Sequence, residues 1–218
     1  NMNERKELKH IFKFHDTIPD RIISRESNTI EFKESFNWNS KDKYGCTAAA
    51  FSNNRGGYIV FGVKNRPRDL VGLSNDNFEN LDESKIAEFL NSIFSPEILF
   101  EKYLENVNSK KVGIFHIIQN PKKPVVCIKN SGDLQEAVIY YRYNARSEKI
   151  KYPALNALLE EIQLREKRSW MEHFERISKI GAENALILDT IEGKIEGHGG
   201  TLVIDEKLLP KLNFIKEG

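Results

Sequence analysis

Sulfur is scarce in this chain: two cysteines and two methionines occur in 218 residues. Cys46 and Cys127 stand far apart and neither belongs to a CxxC pair, which excludes a disulfide framework and a zinc site built from cysteine alone. Long apolar runs are missing as well. None approaches the roughly 18 residues that a membrane-spanning helix needs, and no apolar stretch follows the charges of Asn1–His10, as a secretory signal would require. A reducing, cytoplasmic address is expected on these grounds. Nor does charge of one sign dominate, with 33 Lys+Arg against 32 Asp+Glu. Net charge therefore does not decide for or against nucleic acid; segregation of the cations onto one face does. No GxxxxGK[ST] sequence occurs, so no phosphate loop of that type is expected. What is present is 39% hydrophobic residues, including 13 Phe. That supply builds a core and excludes a disordered chain.

Strand and helix signals then follow one another along the chain. Residues 1–20 are charged, with Leu8, Ile11, Phe12 and Phe14 interspersed, and are expected to form a short amphipathic helix or an arm. Ile30–Phe36 alternates apolar with polar, as a strand does. Ala48, Ala49, Ala50 and Phe51 mark a helix over 41–54, stopped by Gly56-Gly57. Tyr58–Val63 is a β-branched and aromatic run bounded by glycines, the mark of a buried strand, and Asn65–Asp69 is a turn. Asp82 caps a helix through Ile86, Phe89, Leu90 and Ile93 that ends near Pro96. Strands are expected over 98–107, 111–118, 125–128 and 137–143. Pro153 suits the first turn of a long helix through Leu155, Leu158, Leu159, Ile162 and Leu164, with a highly charged continuation to Arg176. Beyond it, 183–190 reads as helix and 201–204 as strand. The chain stops at Gly218 without a closing element, as expected of a piece of a longer protein. This succession predicts an α+β fold with a mixed sheet.

Arg25–Lys33 is the stretch densest in chemistry. Glu26 and Glu31 are five residues apart, and a strand with a period of two does not put both on one face. Glu26 therefore belongs to the turn before the strand, from which it can fold back toward Glu31. Glu31 and Lys33 share a face and are placed to form an in-strand ion pair. Two converging carboxylates beside a lysine suit a divalent cation and a phosphodiester. The plainer alternative is a turn-capping Glu26 with Glu31 and Lys33 solvated, and spacing alone favours it. The Gly56-Gly57 pair permits positive φ and a close backbone approach, whether to a neighbouring strand or to a phosphate.

Three blocks carry a resemblance to a known family. Glu26-Ser27-Asn28-Thr29-Ile30-Glu31-Phe32-Lys33 resembles the opening signature of the Schlafen AlbA-like domain family. Ala50–Val63 resembles its AFxNxxGGxxxxGV helix–glycine–strand block, and Ile139–Ser147 is similar to its closing strand and turn. The resemblance implies an α+β domain at 21–161, a mixed, mostly antiparallel sheet flanked by helices that interacts with nucleic acid. An N-terminal helix or arm at 1–20 precedes it, and a charged helix with a small helical and β extension at 162–218 follows. In nuclease-active relatives the resemblance also implies a three-carboxylate site for Mg²⁺ or Mn²⁺ that cuts structured RNA such as tRNA. Glu26 and Glu31 match the first two acids, and Asn65 stands where the third belongs. An asparagine oxygen ligates a metal but brings no charge. Asp69, four residues on, substitutes only if the loop folds inward; its default role is a turn carboxylate, or a salt bridge with Arg66 or Arg68. Lys33 is then the group that stabilises charge on the phosphate. Labels of the family as ATP-binding find no local support in this stretch.

Cations cluster in the turns: Arg55; Lys64, Arg66 and Arg68; Lys110 and Lys111; Lys122 and Lys123; then Arg142, Arg146, Lys149 and Lys151. Several lie beside Tyr58, Tyr140, Tyr141 or Tyr143, which suits phosphate contacts flanked by stacking surfaces. Any single one is more readily a solvated loop residue. As a set, Lys33, Arg55, Lys64, Arg66, Arg68, Arg142 and Arg146 are expected to hold nucleic acid, with the 66/68 and 142/146 turns foremost. The histidines have no metal-ligand spacing, and His116 is expected to pack within a strand. The first expectation is accordingly a backbone-directed RNA- or DNA-binding domain of a larger regulatory or defence-type protein, such as a transcriptional regulator. The second is a metal-dependent endoribonuclease working through Glu26, Glu31 and Lys33. The third is an assembly module that forms a homo-oligomer through its C-terminal helix region. No membrane partner is expected.

Overall fold

The structure, a computed structural model, describes residues 10–180 and the backbone of a short hairpin at 187–189 and 194–196. The chain divides into two units, Asn1–Leu155 and Asn156–Gly218. In chain order the first unit holds β1 (Ile30–Lys33), α1 (Lys41–Ser52), β2 (Gly57–Phe61), α2 (Glu83–Ile93) and β3 (Phe94–Ser95). It continues with β4 (Phe100–Val107), β5 (Lys110–Ile117), β6 (Val126–Cys127), β7 (Tyr140–Tyr143) and β8 (Arg146–Lys149). Helix α3 (Tyr152–Ile180) carries the chain into the second unit, whose described residues also include the antiparallel pair β9 (Ile187–Asp189) and β10 (Lys194–Glu196). The fold is α+β, with mixed and mostly antiparallel pairing, as the alternation of signals predicts.

The main sheet has the order β1-β2-β5-β4. β1 and β2 run parallel, with Ile30 opposite Tyr58 and Lys33 opposite Phe61. Parallel neighbours need a crossover, and α1 supplies it. β4 and β5 instead form a tight hairpin around Asn108 and Ser109, both at positive φ, which matches the twist of paired strands.

Alternate residues of the central strands serve two cores. Ile59, Phe61, Phe115 and Ile117 pack against Ala48–Phe51 of α1 and Ile86, Leu90 and Ile93 of α2. Val60, Val112 and Ile114 face the other way, to Ile11, Ile22, Phe32 and Leu70. The N-terminal segment from Ile11 to Ile22 is thus part of the body. Much of the phenylalanine supply meets at Phe36, whose ring makes edge contacts with Phe61 and Phe78 at 5.2 Å. Asp82 caps α2 as expected, its Oδ1 accepting from Ser84 N at 2.9 Å, and that bond holds its carboxyl below the usual range.

The structure departs from the sequence expectations in several places: the strand expected over Ile30–Phe36 ends at Lys33, and the one expected over 137–143 begins at Tyr140. The stretch read as helix at 183–190 contains a strand at Ile187–Asp189, where pairing to Lys194–Glu196 overrides local propensity. The polar strand β8, Arg-Ser-Glu-Lys, has no alternation to announce it and exists through its pairing with β7. β3 is a two-residue bridge to β6, too short for a periodic signal. Residues 1–9 of the expected N-terminal helix or arm at 1–20, and the strand expected over 201–204, lie outside the described residues.

Packing explains the glycine pair between α1 and β2. Gly56 sits at φ +74°, and a Cβ there would lie 2.7 Å from the carbonyl oxygen of Ile117. A Cβ on Gly57 would lie 2.7 Å from the carbonyl oxygen of Thr29. Both contacts are with neighbouring strands. Replacing Gly56 with alanine is expected to destabilise the protein by about 1–3 kcal/mol, read from the urea midpoint. Asn65→Ala, on an exposed turn, should stay within about 0.5 kcal/mol of wild type.

Candidate functional site

Glu31 and Lys33 point toward the α1 side of the sheet, because Ile30 and Phe32 occupy the opposite face. Lys33 Nζ donates to Glu31 Oε1 at 2.6 Å, the in-strand pair that the spacing anticipates. The other Glu31 oxygen accepts from Arg142 Nη2 at 2.7 Å. Arg142 is 2% exposed. Its Nε donates to Ser27 O at 3.0 Å, Nη1 to Ser147 Oγ at 3.1 Å, and Nη2 also to Ile30 O at 3.2 Å. The guanidinium lies 4.9 Å from the centre of the Phe51 ring. Arg142 thus ties β7 to β1, to the turn before it and to α1. The expectation that it contacts phosphate is corrected: its donors are turned inward, because β7 alternates and Tyr140 and Arg142 take the buried face.

Beside this pair lies a polar cleft of about 250 Å³. Its ionisable lining comprises Glu31, Asp42 and Asp133 against Lys33, Lys43 and Arg142. The charges balance, so the cleft is not itself a well for a polyanion. Asp42 is held by Ser131, whose hydroxyl donates to it at 2.6 Å. Cys46 also lines the cleft, and burial pushes its thiol up to about 11.

The two acids of the expected metal site are partly engaged elsewhere. Glu26 does fold back along β1, but its Oε1 accepts from Phe32 N at 3.2 Å and supports the strand. Asn65 is exposed on the turn after β2. Asp69 pairs with Arg21, not with Arg66 or Arg68, because a bridge between the two backbones brings them together. Among the described residues no three His, Cys, Asp or Glu side chains are grouped to hold a metal. Glu26, Glu31 and Asp69 therefore do not make such a group, and Asn65 stands on the exposed turn.

The expected phosphate contacts fall into separate groups. Arg55 is exposed at one end of β2, while Lys64 and Arg66 are exposed beyond the other, about 17 Å away along the strand. Arg68 is half-buried, and its Nε meets no hydrogen-bond partner. Arg146 is exposed at the β7–β8 tip, between Ala145 and Ser147 of the cleft wall. Lys33 is committed to Glu31. Elsewhere, His116 packs as expected, stacked on Tyr58 at 4.5 Å and bonded to Glu101 at 2.8 Å. Hydrogen bonds from Tyr103 and His116 hold the Glu101 carboxyl below its usual range.

The profile of the Schlafen AlbA_2 family matches residues 26–151. The chain belongs to that family. An uncharacterized ATP-binding protein of Ureaplasma parvum serovar 3 is 39% identical over 217 residues, covering 90% of this chain and 61% of its own length. The chain thus spans less than two thirds of that relative. Two solved structures are also similar. The DIP2311 protein of Corynebacterium diphtheriae is 12% identical with a TM-score of 0.47, covering 68% of this chain and 27% of that one. The N-terminal domain of an ATP-dependent DNA helicase RecG-related protein of Nitrosomonas europaea is 21% identical with a TM-score of 0.37, covering 59% and 85%.

The Schlafen AlbA_2 blocks acquire a mechanical meaning in this geometry. In Ala50–Val63, Asn53 is 1% exposed; its amide nitrogen donates to Val125 O at 2.8 Å and Tyr140 O at 3.0 Å, and its oxygen accepts from Val125 N at 2.7 Å. Asn54 donates to Arg142 O at 3.1 Å. These asparagines fasten β7 to the end of α1. Sequence reasoning passed over them, although two asparagines at a helix end before a glycine pair were a readable signal. It also passed over Lys43, which a single exposed lysine on a helix does not betray. No described helix is long and apolar enough to cross a membrane.

The buried thiol offers a check on the cleft. At pH 8 Cys46 in the folded protein should react with iodoacetamide roughly a hundredfold more slowly than an unperturbed thiol, and reach the ordinary rate in urea. Equal rates in both conditions would contradict the packing around it.

Proposed function

We propose that the first unit binds the phosphate backbone of nucleic acid along its edge strand β1. One observation carries the reading: exposed cations without a carboxylate partner among the described residues follow that edge. Lys43 and Arg146 stand at the cleft. Lys33 O accepts from Gly62 N and Val63 N at 2.8 and 3.0 Å, which brings Lys64 and Arg66 next in line. Membership of the Schlafen AlbA_2 family supports the same reading. The buried Glu31–Arg142 pair holds the scaffold on which these cations are displayed. Such contacts position a backbone without reading sequence and release counterions on binding. No step is assigned to a metal.

Fluorescence anisotropy across a KCl series tests this. Affinity for unrelated oligonucleotide sequences should be similar and fall steeply with salt. Lys64→Ala with Arg66→Ala should weaken all of them alike and reduce the salt slope by about 2. Binding that ignores salt, or a variant that binds as wild type, would contradict the proposal. The same samples with tRNA and Mn²⁺ should stay uncut; cleavage that disappears in Glu31→Gln would replace this reading with a metal-dependent endoribonuclease.

A further inference from the structure

The outward face of the β7–β8 hairpin is unlike the cleft beside it. Cross-strand register puts Tyr141 opposite Glu148 and Tyr143 opposite Arg146, so these four side chains share one face. The inward face holds Tyr140 and Arg142, which are buried. Tyr141 and Tyr143 are partly exposed, with ring centres 5.3 Å apart and planes inclined at 54°. Tyr143 is fixed in place: its hydroxyl accepts from Lys151 N at 2.7 Å, and Lys151 Nζ lies 4.9 Å from its ring centre. Glu148 is neutralised by the same lysine at 3.0 Å. Arg146 stays exposed across from Tyr143. The hairpin is itself anchored through Arg142 and Asn54, so its outer rings are carried on a rigid support.

Two pre-oriented rings beside an exposed arginine and a paired carboxylate suit a ligand that is both anionic and aromatic. We infer that the nucleic acid bound here is single-stranded, with bases stacked on Tyr141 and Tyr143 and the backbone passing Arg146. This rests on the backbone-binding reading above and adds the class of target. A duplex keeps its bases stacked on one another, so it presents phosphates to Arg146 but no base face to the tyrosines. A single strand presents both. Because each base has a π-face, the platform tolerates any sequence. Since the rings are already ordered, little conformational freedom is lost on contact.

The test uses the full chain and three labelled probes: an oligothymidylate of about 12 nucleotides, its duplex with the complement, and an abasic strand of equal length. Wild type should bind the oligothymidylate about tenfold or more tightly than the abasic strand or the duplex. Tyr141→Ala with Tyr143→Ala should lose that advantage while still binding the abasic strand, which also reports an intact fold. Tyr141→Phe with Tyr143→Phe should keep most of it, because the ring is retained. A wild type that binds all three probes alike, with the ordinary salt dependence, overturns this inference and leaves the backbone reading standing. An alanine pair that still prefers oligothymidylate also overturns it. A wild type that binds none of the probes overturns both. Should the alanine pair fail to fold, the wild-type comparison of oligothymidylate with the abasic strand decides alone.

Discussion

A guanidinium taken almost wholly out of water must find partners for its charge and its donors, and the hairpin, edge strand and first helix are arranged around that requirement. Arg142 reaches from β7 to Glu31 and Ile30 on β1, to Ser27 in the turn before it and to Ser147 across the hairpin. Phe51 of α1 lies under its face. Both ions are costly to bury, so neither tolerates loss of the other. Glu31 is satisfied from both sides, by Arg142 and by Lys33. The pair stands in the wall of the cleft and adds no net charge to it.

The same pairing shows why the sequence was legible in some respects and opaque in others. The strand starting at Ile30, the helix starting at Lys41 and the cap at Asp82 announce themselves through local period and side-chain chemistry, and they begin where those signals put them. The strand ends at Lys33 rather than Phe36, however, and the helix at Ser52 rather than Asn54. The Glu31–Lys33 pair follows from a strand's period of two. Arg142 does not yield to such reasoning. An arginine between tyrosines reads as a surface contact until the register of β7 is known, and that register is set by Asn53 and Asn54 on a distant helix end. Asp69 fails in the same way: its partner, Arg21, is remote in sequence and comes close only through a backbone bridge. Short polar strands such as β8 carry no period at all and appear only once their partner is placed.

Charge in the first unit is divided between buried and exposed positions. Inside, the buried Glu31 and Arg142 cancel, giving rigidity and no attraction for a polyanion. Outside, Lys43, Lys64, Arg66 and Arg146 remain available because no described carboxylate claims them. Exposed cations are worth little to stability and much to the capture of phosphate, whereas a buried pair has the reverse balance. An arrangement of this kind lets the exposed cations vary without endangering the fold that carries them.

The most direct measurement of the central claim is a double-mutant cycle on Glu31→Gln and Arg142→Met, followed by urea unfolding. Arg142→Met alone leaves a buried carboxylate without its main partner and should cost about 3–5 kcal/mol. The double variant should recover a substantial part of that loss, giving a coupling free energy of about 2 kcal/mol. Costs that simply add, within about 0.5 kcal/mol, would mean that the two residues do not depend on each other and that the clamp does not organise the fold.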